Sequence, residues 1–184
     1  MSLGGRAAAW VGAAAAAAVL AGCASIPRGG AGLAGEGFSG RLSIRVEAEG
    51  AAPAHSLSAA FDLRGDPSAG RLDLSTPLGS VLAQARWSPS QVVLATPRGE
   101  TNFSDLDALT REVLGESLPV AALFDWLQGR PWPGAPSTPA IGESGAGFEQ
   151  LGWAVSLARF DEAMVSARRE SPPPVTVRIK LDRP

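Results

Sequence analysis

Residues able to do covalent or acid–base chemistry are scarce in this chain of 184 residues, which holds one cysteine and one histidine. A Ser-His-Asp triad would have to use His55, which reads as a surface residue at a strand start, and no serine sits in a Gly-x-Ser-x-Gly setting. One histidine cannot build a histidine metal site, and no carboxylates have the spacing of a calcium loop, so no metal is predicted. Glycines are many, but none forms a phosphate-cradling loop, and no cofactor is expected. Asp105 and Asp107 read as charges at a helix start, not as an acid/base pair. Arg168-Arg169-Glu170 reads as a solvated turn. The chain is therefore not expected to be an enzyme. Covalent chemistry remains available at Cys23, which follows Leu20-Ala21-Gly22. Two small residues before a cysteine suit a peptidase cleft that needs slim side chains. The thiol can then take a diacylglyceryl thioether, and the freed amine a third acyl chain.

The residues around Cys23 support that chemistry. Arg6 precedes an uncharged run over residues 7–21, the layout of a secretory signal. The run is short and alanine-rich for a bilayer span, which needs about 20 residues. Leu20-Ala21-Gly22-Cys23 resembles a bacterial lipobox at every position. Residues 1–22 are thus expected to be a lipoprotein signal peptide and Cys23 the lipidated residue. A lone exported thiol is a liability that lipidation removes, and no intramolecular disulfide can form. Ala24, a non-aspartate after the cysteine, resembles the sorting pattern that favours the outer membrane. Residues 23–37 are rich in Gly, Ala and Pro and read as a flexible tether. Residues 38–184 have the length of one domain with a real core. The whole chain carries 16 Lys+Arg against 18 Asp+Glu, a net charge of −2. That balance argues against nucleic acid as a partner and against holding anionic lipid by charge.

The elements come next. Phe38, Gly40, Leu42, Ile44 and Val46 share one parity while Arg41, Ser43 and Arg45 hold the other, a half-buried antiparallel strand. Leu57, Ala59, Phe61 and Leu63 mark a second strand, and Leu72 and Leu74 a third. Pro77 ends that third strand. Gly79 permits a turn, and alternation resumes at Val81, Ala83, Ala85 and Trp87. Leu78 therefore sits at the tip of a connection. It either folds back as a plug on its own hairpin or is held out to enter something apolar, such as a bilayer. A fifth strand carries Val92 and Leu94. The period then changes. Ser104 with Asp107 resembles a capping box, Leu106, Leu109, Val113 and Leu114 form a helical stripe, and Gly115 is a stop. Pro119 opens a second helix with Leu123, Trp126 and Leu127 on one face. Residues 131–147 read as loop. Leu151, Trp153, Val155 and Leu157 read as a strand, and Val175, Val177, Ile179 and Leu181 as another. The fold expected is mainly β with two or more short helices: an unclosed, half-barrel antiparallel sheet with a helical lid. Its interior could be filled or hollow.

Several landmarks then fall in order: Gly40-Arg41 opening the first strand, Pro77-Leu78-Gly79, Pro119 ahead of Trp126-Leu127 and Gly129-Arg130-Pro131, Gln150-Leu151-Gly152-Trp153-Ala154-Val155, and Arg178-Ile179-Lys180-Leu181. Behind a lipobox, this order resembles the LolB family of outer-membrane lipoprotein receptors over about residues 38–181. The resemblance implies a LolA/LolB-like fold holding an apolar cavity for acyl chains. It implies a receptor, anchored by lipid on the periplasmic face of the outer membrane, that accepts client lipoproteins from the carrier LolA and inserts them into the outer-membrane lipid. It also implies membrane insertion by Leu78 and a monomer. The inward strand residues Leu42, Ile44, Phe61, Leu72, Leu74, Leu94, Trp126, Trp153 and Ile179 are the candidates for the cavity wall. A tethered acyl-chain carrier and a structural envelope lipoprotein are the alternatives.

Overall fold

Alternating side chains build the first hairpin. The computed structural model, which describes residues 36–142 and 145–182, begins with strand β1 (Glu36–Val46) paired antiparallel to β2 (His55–Gly65). Leu42 lies opposite Ala59 and Ile44 opposite Leu57, so the apolar residues of both strands share one face. The first strand thus starts at Glu36, ahead of the Phe38 read from parity. Cys23, residues 1–22 and the tether up to residue 35 lie outside the described residues.

The same face continues through β3 (Gly70–Ser75), β4 (Val81–Ser88), β5 (Gln91–Thr96) and β6 (Gly99–Phe103). Leu63 faces Leu72, Leu72 faces Ala85, and Ala85 faces Leu94. Two helices follow, α1 (Leu106–Leu114) and α2 (Val120–Trp126). Strands β7 (Ser137–Gly142), β8 (Gly145–Gln150), β9 (Trp153–Ser156), β10 (Met164–Arg169) and β11 (Val175–Leu181) then return the chain to β1. There Ile179 faces Leu42 and Val177 faces Ile44. The product is one eleven-stranded antiparallel sheet in the order β6-β5-β4-β3-β2-β1-β11-β10-β9-β8-β7. Its edges, β6 and β7, are the strands that flank the helices in sequence. The sheet is an open half-barrel, and the helices pack their apolar stripe into its core.

Each helix has a local reason to stop and start. The carboxylate of Asp105 accepts the Ala108 N–H at 2.7 Å and caps α1. Ser104, expected as the cap, instead donates its hydroxyl to Asp105 at 2.9 Å. The Ala108 N–H first, then the Ser104 hydroxyl, hold the Asp105 carboxyl below its ordinary range. The cap is therefore fully effective at neutral pH and is lost only as pH falls through that lowered value. Gly115 ends α1 in the left-handed region at φ 79. At the end of α2, Trp126 is 1% exposed and its ring meets those of Phe148 and Trp153 at 6.3 Å. Its indole N–H donates to Gln150 Oε1 at 2.8 Å. The same oxygen accepts the Trp132 N–H, and the Gln150 amide donates to the carbonyls of Trp132 and Ala135. Gln150 is a fully satisfied buried amide that pins α2 and the 131–136 segment to β8.

The structure corrects several expectations. Residues 131–147 are not all loop: they contain β7 and the start of β8. Pro139 is tolerated because β7 is an edge strand, where an absent N–H breaks no ladder bond on the outer side. The strand read over Leu151 to Leu157 is interrupted, since Leu151 lies in a turn with φ 55 and the strand itself is β9. Arg168 and Arg169 close β10 and are not a solvated turn. Strand β6 had no visible alternation, because Phe103 is its single large apolar residue.

Replacing Gln150 with leucine strands the Trp126 indole N–H, the Trp132 N–H and two carbonyls. The expected cost is roughly 2–5 kcal/mol in urea unfolding; a loss under about 0.5 kcal/mol would contradict the pinning role.

Candidate functional site

The concave face of the half-barrel is hollow at one end. Leu42 and Ile44 from β1, Leu57, Phe61 and Leu63 from β2, and Leu72 and Leu74 from β3 form its floor, with Ala83, Ala85 and Leu94 beyond them. Val177 and Ile179 of β11 complete that side. The roof is Leu109, Val113 and Leu114 of α1, Leu118 of the connector, and Val120, Leu123 and Leu127 around α2. The enclosed space is about 120 Å³. Small side chains make it: Ala83 and Ala85 stand where larger residues on β4 would reach the roof. The remaining wall residue is Thr110, and its hydroxyl is occupied, donating to the Asp107 carbonyl at 3.2 Å and accepting the Leu118 N–H at 3.1 Å. The wall therefore offers a ligand dispersion contacts and no free hydrogen-bonding group. Between a filled and a hollow interior, the interior is hollow.

Seven of the nine residues predicted for the wall are on it: Leu42, Ile44, Phe61, Leu72, Leu74, Leu94 and Ile179. Trp126 and Trp153 are not. They pack against each other in the aromatic end of the core, 1% and 3% exposed. An indole N–H needs a partner, and Gln150 supplies one for Trp126 away from the apolar hollow. Leu57, Leu63 and Val177, and Leu109, Val113, Leu114, Leu123 and Leu127, also line it and were not among the nine, although the strand parity and the helical stripe carried the signal for them. Leu118 and Val120 flank Pro119 and carried no periodic signal.

Leu78 is 96% exposed, so it does not plug its own hairpin. The turn that carries it is closed by the Gly79 N–H on the Thr76 carbonyl (2.9 Å), the Thr76 N–H on the Ser80 carbonyl (2.8 Å), and the Ser80 N–H on the Thr76 hydroxyl. Gly79 takes φ 86, open to glycine at little cost. A bulge in β4 places both Val81 and Leu82 opposite Ser75 and breaks the parity read from Val81. Val81 and Leu82 are 62% and 36% exposed, so the apolar surface extends beyond Leu78. Among the described residues no helix is long and apolar enough to cross a membrane, and no group of His, Cys, Asp and Glu is placed to hold a metal ion.

A half-barrel roofed by helices holds an apolar hollow, and a leucine protrudes from one of its turns. A family model described as outer membrane lipoprotein LolB matches residues 37–183. This chain belongs to the LolB family. An outer-membrane lipoprotein LolB of Bordetella pertussis is 37% identical over 178 residues, covering 91% of this chain and 88% of the relative. Those of Bordetella petrii and Cupriavidus pinatubonensis are 34% and 36% identical, covering 91% and 90% of this chain and 88% and 82% of themselves. The LolB match covers both helices and all the strands but Glu36 at the start of β1, so the hollow and the Leu78 turn lie within the matched region. LolB membership also places the chain among outer-membrane lipoproteins.

Thr110→Val removes the acceptor of the Leu118 N–H without adding a polar group to the wall. It is expected to lower stability by roughly 1–3 kcal/mol and to leave the affinity for a fluorescent fatty acid within about twofold. An affinity loss of tenfold or more in the folded variant would make Thr110 a ligand contact instead.

Proposed function

We propose that this protein is the receptor that takes lipoproteins from a LolA-like periplasmic carrier, shelters their acyl chains in the hollow, and releases them into the outer membrane to which Cys23 anchors it. The observation that carries this reading is the apolar wall, whose single hydroxyl is already bonded. Exposing acyl chains to the periplasm costs about 0.8 kcal/mol per CH₂, and an uncharged wall replaces the bilayer during transit. No step is covalent. Direction comes from differences in affinity, receptor above carrier and membrane above receptor.

The hollow of about 120 Å³ is smaller than the roughly 300–1,000 Å³ of pockets that enclose drug-sized ligands. Uptake of whole acyl chains therefore requires the roof to move. Helix α1 is the mobile candidate, because α2 is pinned by Trp126 and Gln150 while α1 meets the sheet mainly through apolar contacts.

Leu78 contributes at most roughly 1.5–3 kcal/mol on entering a bilayer. That is too little to anchor the protein but enough to orient it. Register adds a constraint. Glu36 pairs with Gly65 and Ser75 with Ala60, so the tether joins the domain at the end of the sheet opposite the Leu78 turn. The gap along the strands is about 26 Å. The stretch from Cys23 to Glu36 reaches at most about 45 Å when extended and about 20 Å when relaxed. For Leu78 to reach the leaflet that holds Cys23, residues 23–36 must be long enough to span that gap.

Two outcomes test this. Leu78→Glu is expected to fold and to take up ligand normally but to release it more slowly into liposomes; equal release by variant and parent would remove Leu78 from the step. Deleting about half of residues 24–35 is expected to abolish the membrane signal of an environment-sensitive dye at position 78 in the anchored protein. An undiminished signal from the shortened tether would show that the domain does not stand on its Leu78 end.

A further inference from the structure

The hollow has a continuation. A second groove, about 150 Å³, is lined by Val46, His55 and Ser56 together with Ile44, Leu57, Val113 and Leu114. The last four also belong to the wall of the hollow, so the two spaces meet between the start of β2 and the last turn of α1. Val113 is 46% exposed and is the one wall residue of the exposed class, the others being buried or half-buried. The composition changes across this junction. Inside it the wall is apolar throughout its surface. Outside it His55, on the same side of β2 as Leu57, is exposed and brings an imidazole to the rim.

Register fixes where the junction points. Leu57 pairs with Ile44, and Ala60 with Ser75. Beyond Ser75 strand β3 runs toward the Leu57 end of β2 and turns there at Leu78. The groove and the exposed leucine therefore lie at one end of the sheet, opposite the end where β1 begins.

We propose that this groove is the portal of the hollow and the seat for the polar end of a diacylglyceryl-modified peptide. The hydrocarbon chains run inward past Val113 and Leu57, while the ester and amide carbonyls stay at the rim within reach of the imidazole of His55. The assignment rests on the acyl-chain reading given under Proposed function and adds the route and the headgroup contacts. It follows that a chain leaving the hollow emerges beside Leu78, facing the bilayer, and needs no reorientation of the domain. It also follows that α1 opens by lifting its C-terminal turn, because Val113 and Leu114 form the outer lip.

The test uses the full-length acylated protein, in which Cys23 offers no thiol. A maleimide-polyethylene glycol is attached to Val113→Cys, and for comparison to Leu151→Cys, which is equally exposed at 47% but lies in the β8–β9 turn. Uptake of a pyrene-labelled fatty acid is followed by stopped flow. On modification the association rate is expected to fall at least about tenfold for Val113→Cys, measured against the same variant before modification, and to stay the same for Leu151→Cys. Equal rates for the modified and unmodified Val113→Cys proteins would overturn the portal alone. Absence of uptake by the unmodified parent would overturn the acyl-chain reading and the portal with it. For the rim, the variant His55→Ala is expected to bind a synthetic diacylated lipopeptide about three- to tenfold more weakly and to lose less affinity for an alkylpyrene, which has no carbonyl. An identical effect on both probes would remove the headgroup contacts.

Discussion

A curved sheet whose inward side chains are mostly apolar has to be covered, because every square ångström of apolar surface left in water costs about 25 cal/mol. The register from Leu94 through Ala85, Leu72 and Leu63 to β2, and from Ile44 and Leu42 to β11, leaves no polar residue to relieve that demand on the concave side. The helices answer it unequally. Near β8 and β9 the cover is aromatic and complete, with Trp126 edge-on to Phe148 and tilted against Trp153, and Gln150 absorbing the polar atoms. Over β1 to β5 Phe124 of α2 meets Phe38 and Trp87 at one end, but around the hollow the cover is aliphatic and incomplete, with alanines on the floor. The filled end holds the roof in register so that the unfilled end can remain open without collapse.

How legible this was depended on what each residue had to do locally. Strands β1 to β4 and β11 put large apolar residues on one face and charges on the other, and period-2 alternation found them. Strands β7 and β8 escaped because Ser137, Pro139, Gly145 and Gly147 read as loop. Gly147 is needed where β8 passes β9 so closely that a Cβ would lie 2.2 Å from the Val155 carbonyl oxygen. The Ser104 cap was misplaced by one residue because both Ser104 and Asp105 can accept a backbone N–H, and only backbone geometry decides between them. Most wall residues followed from parity. The two tryptophans did not, since parity says which face a side chain takes but not how far along the barrel the hollow extends. The wall also depends on Leu118 and Val120, which flank a proline and obey no period.

Charge is distributed to complement this division. On the convex face Arg64, Arg71 and Arg86 stand in a row across β2, β3 and β4, and each is paired with a carboxylate: Asp62, Asp73 and Glu100. Exposed pairs of this kind add little stability; they keep the outer face wet and unlike the inner one. The Arg169–Glu116 pair is different. Its side chains are 17% and 22% exposed, its closest approach is 2.5 Å, and the guanidinium lies 5.6 Å from the centre of the Trp153 ring. Glu116 sits in the connector between α1 and α2, so this pair ties the roof to β10 beside the aromatic end. It leaves the α1 lip at Val113 without a comparable polar tie, which is why the roof is expected to give there first.

An unfilled apolar space is also an energetic statement. Cavities in packed cores cost about 24 cal/mol per Å³, so a hollow of about 120 Å³ leaves the free protein on the order of 3 kcal/mol less stable than a filled core would be. Filling it with alanine-to-leucine changes would recover that stability and remove the ligand's place. Filling it with hydrocarbon recovers the same contacts as binding free energy. The strain thus acts in the direction a receptor needs, because it raises the affinity for any apolar chain that enters without requiring a polar group to recognise one. It also limits that affinity. A space this small gives up its occupant to a bilayer that can bury the whole chain, so the modest volume favours onward transfer over storage.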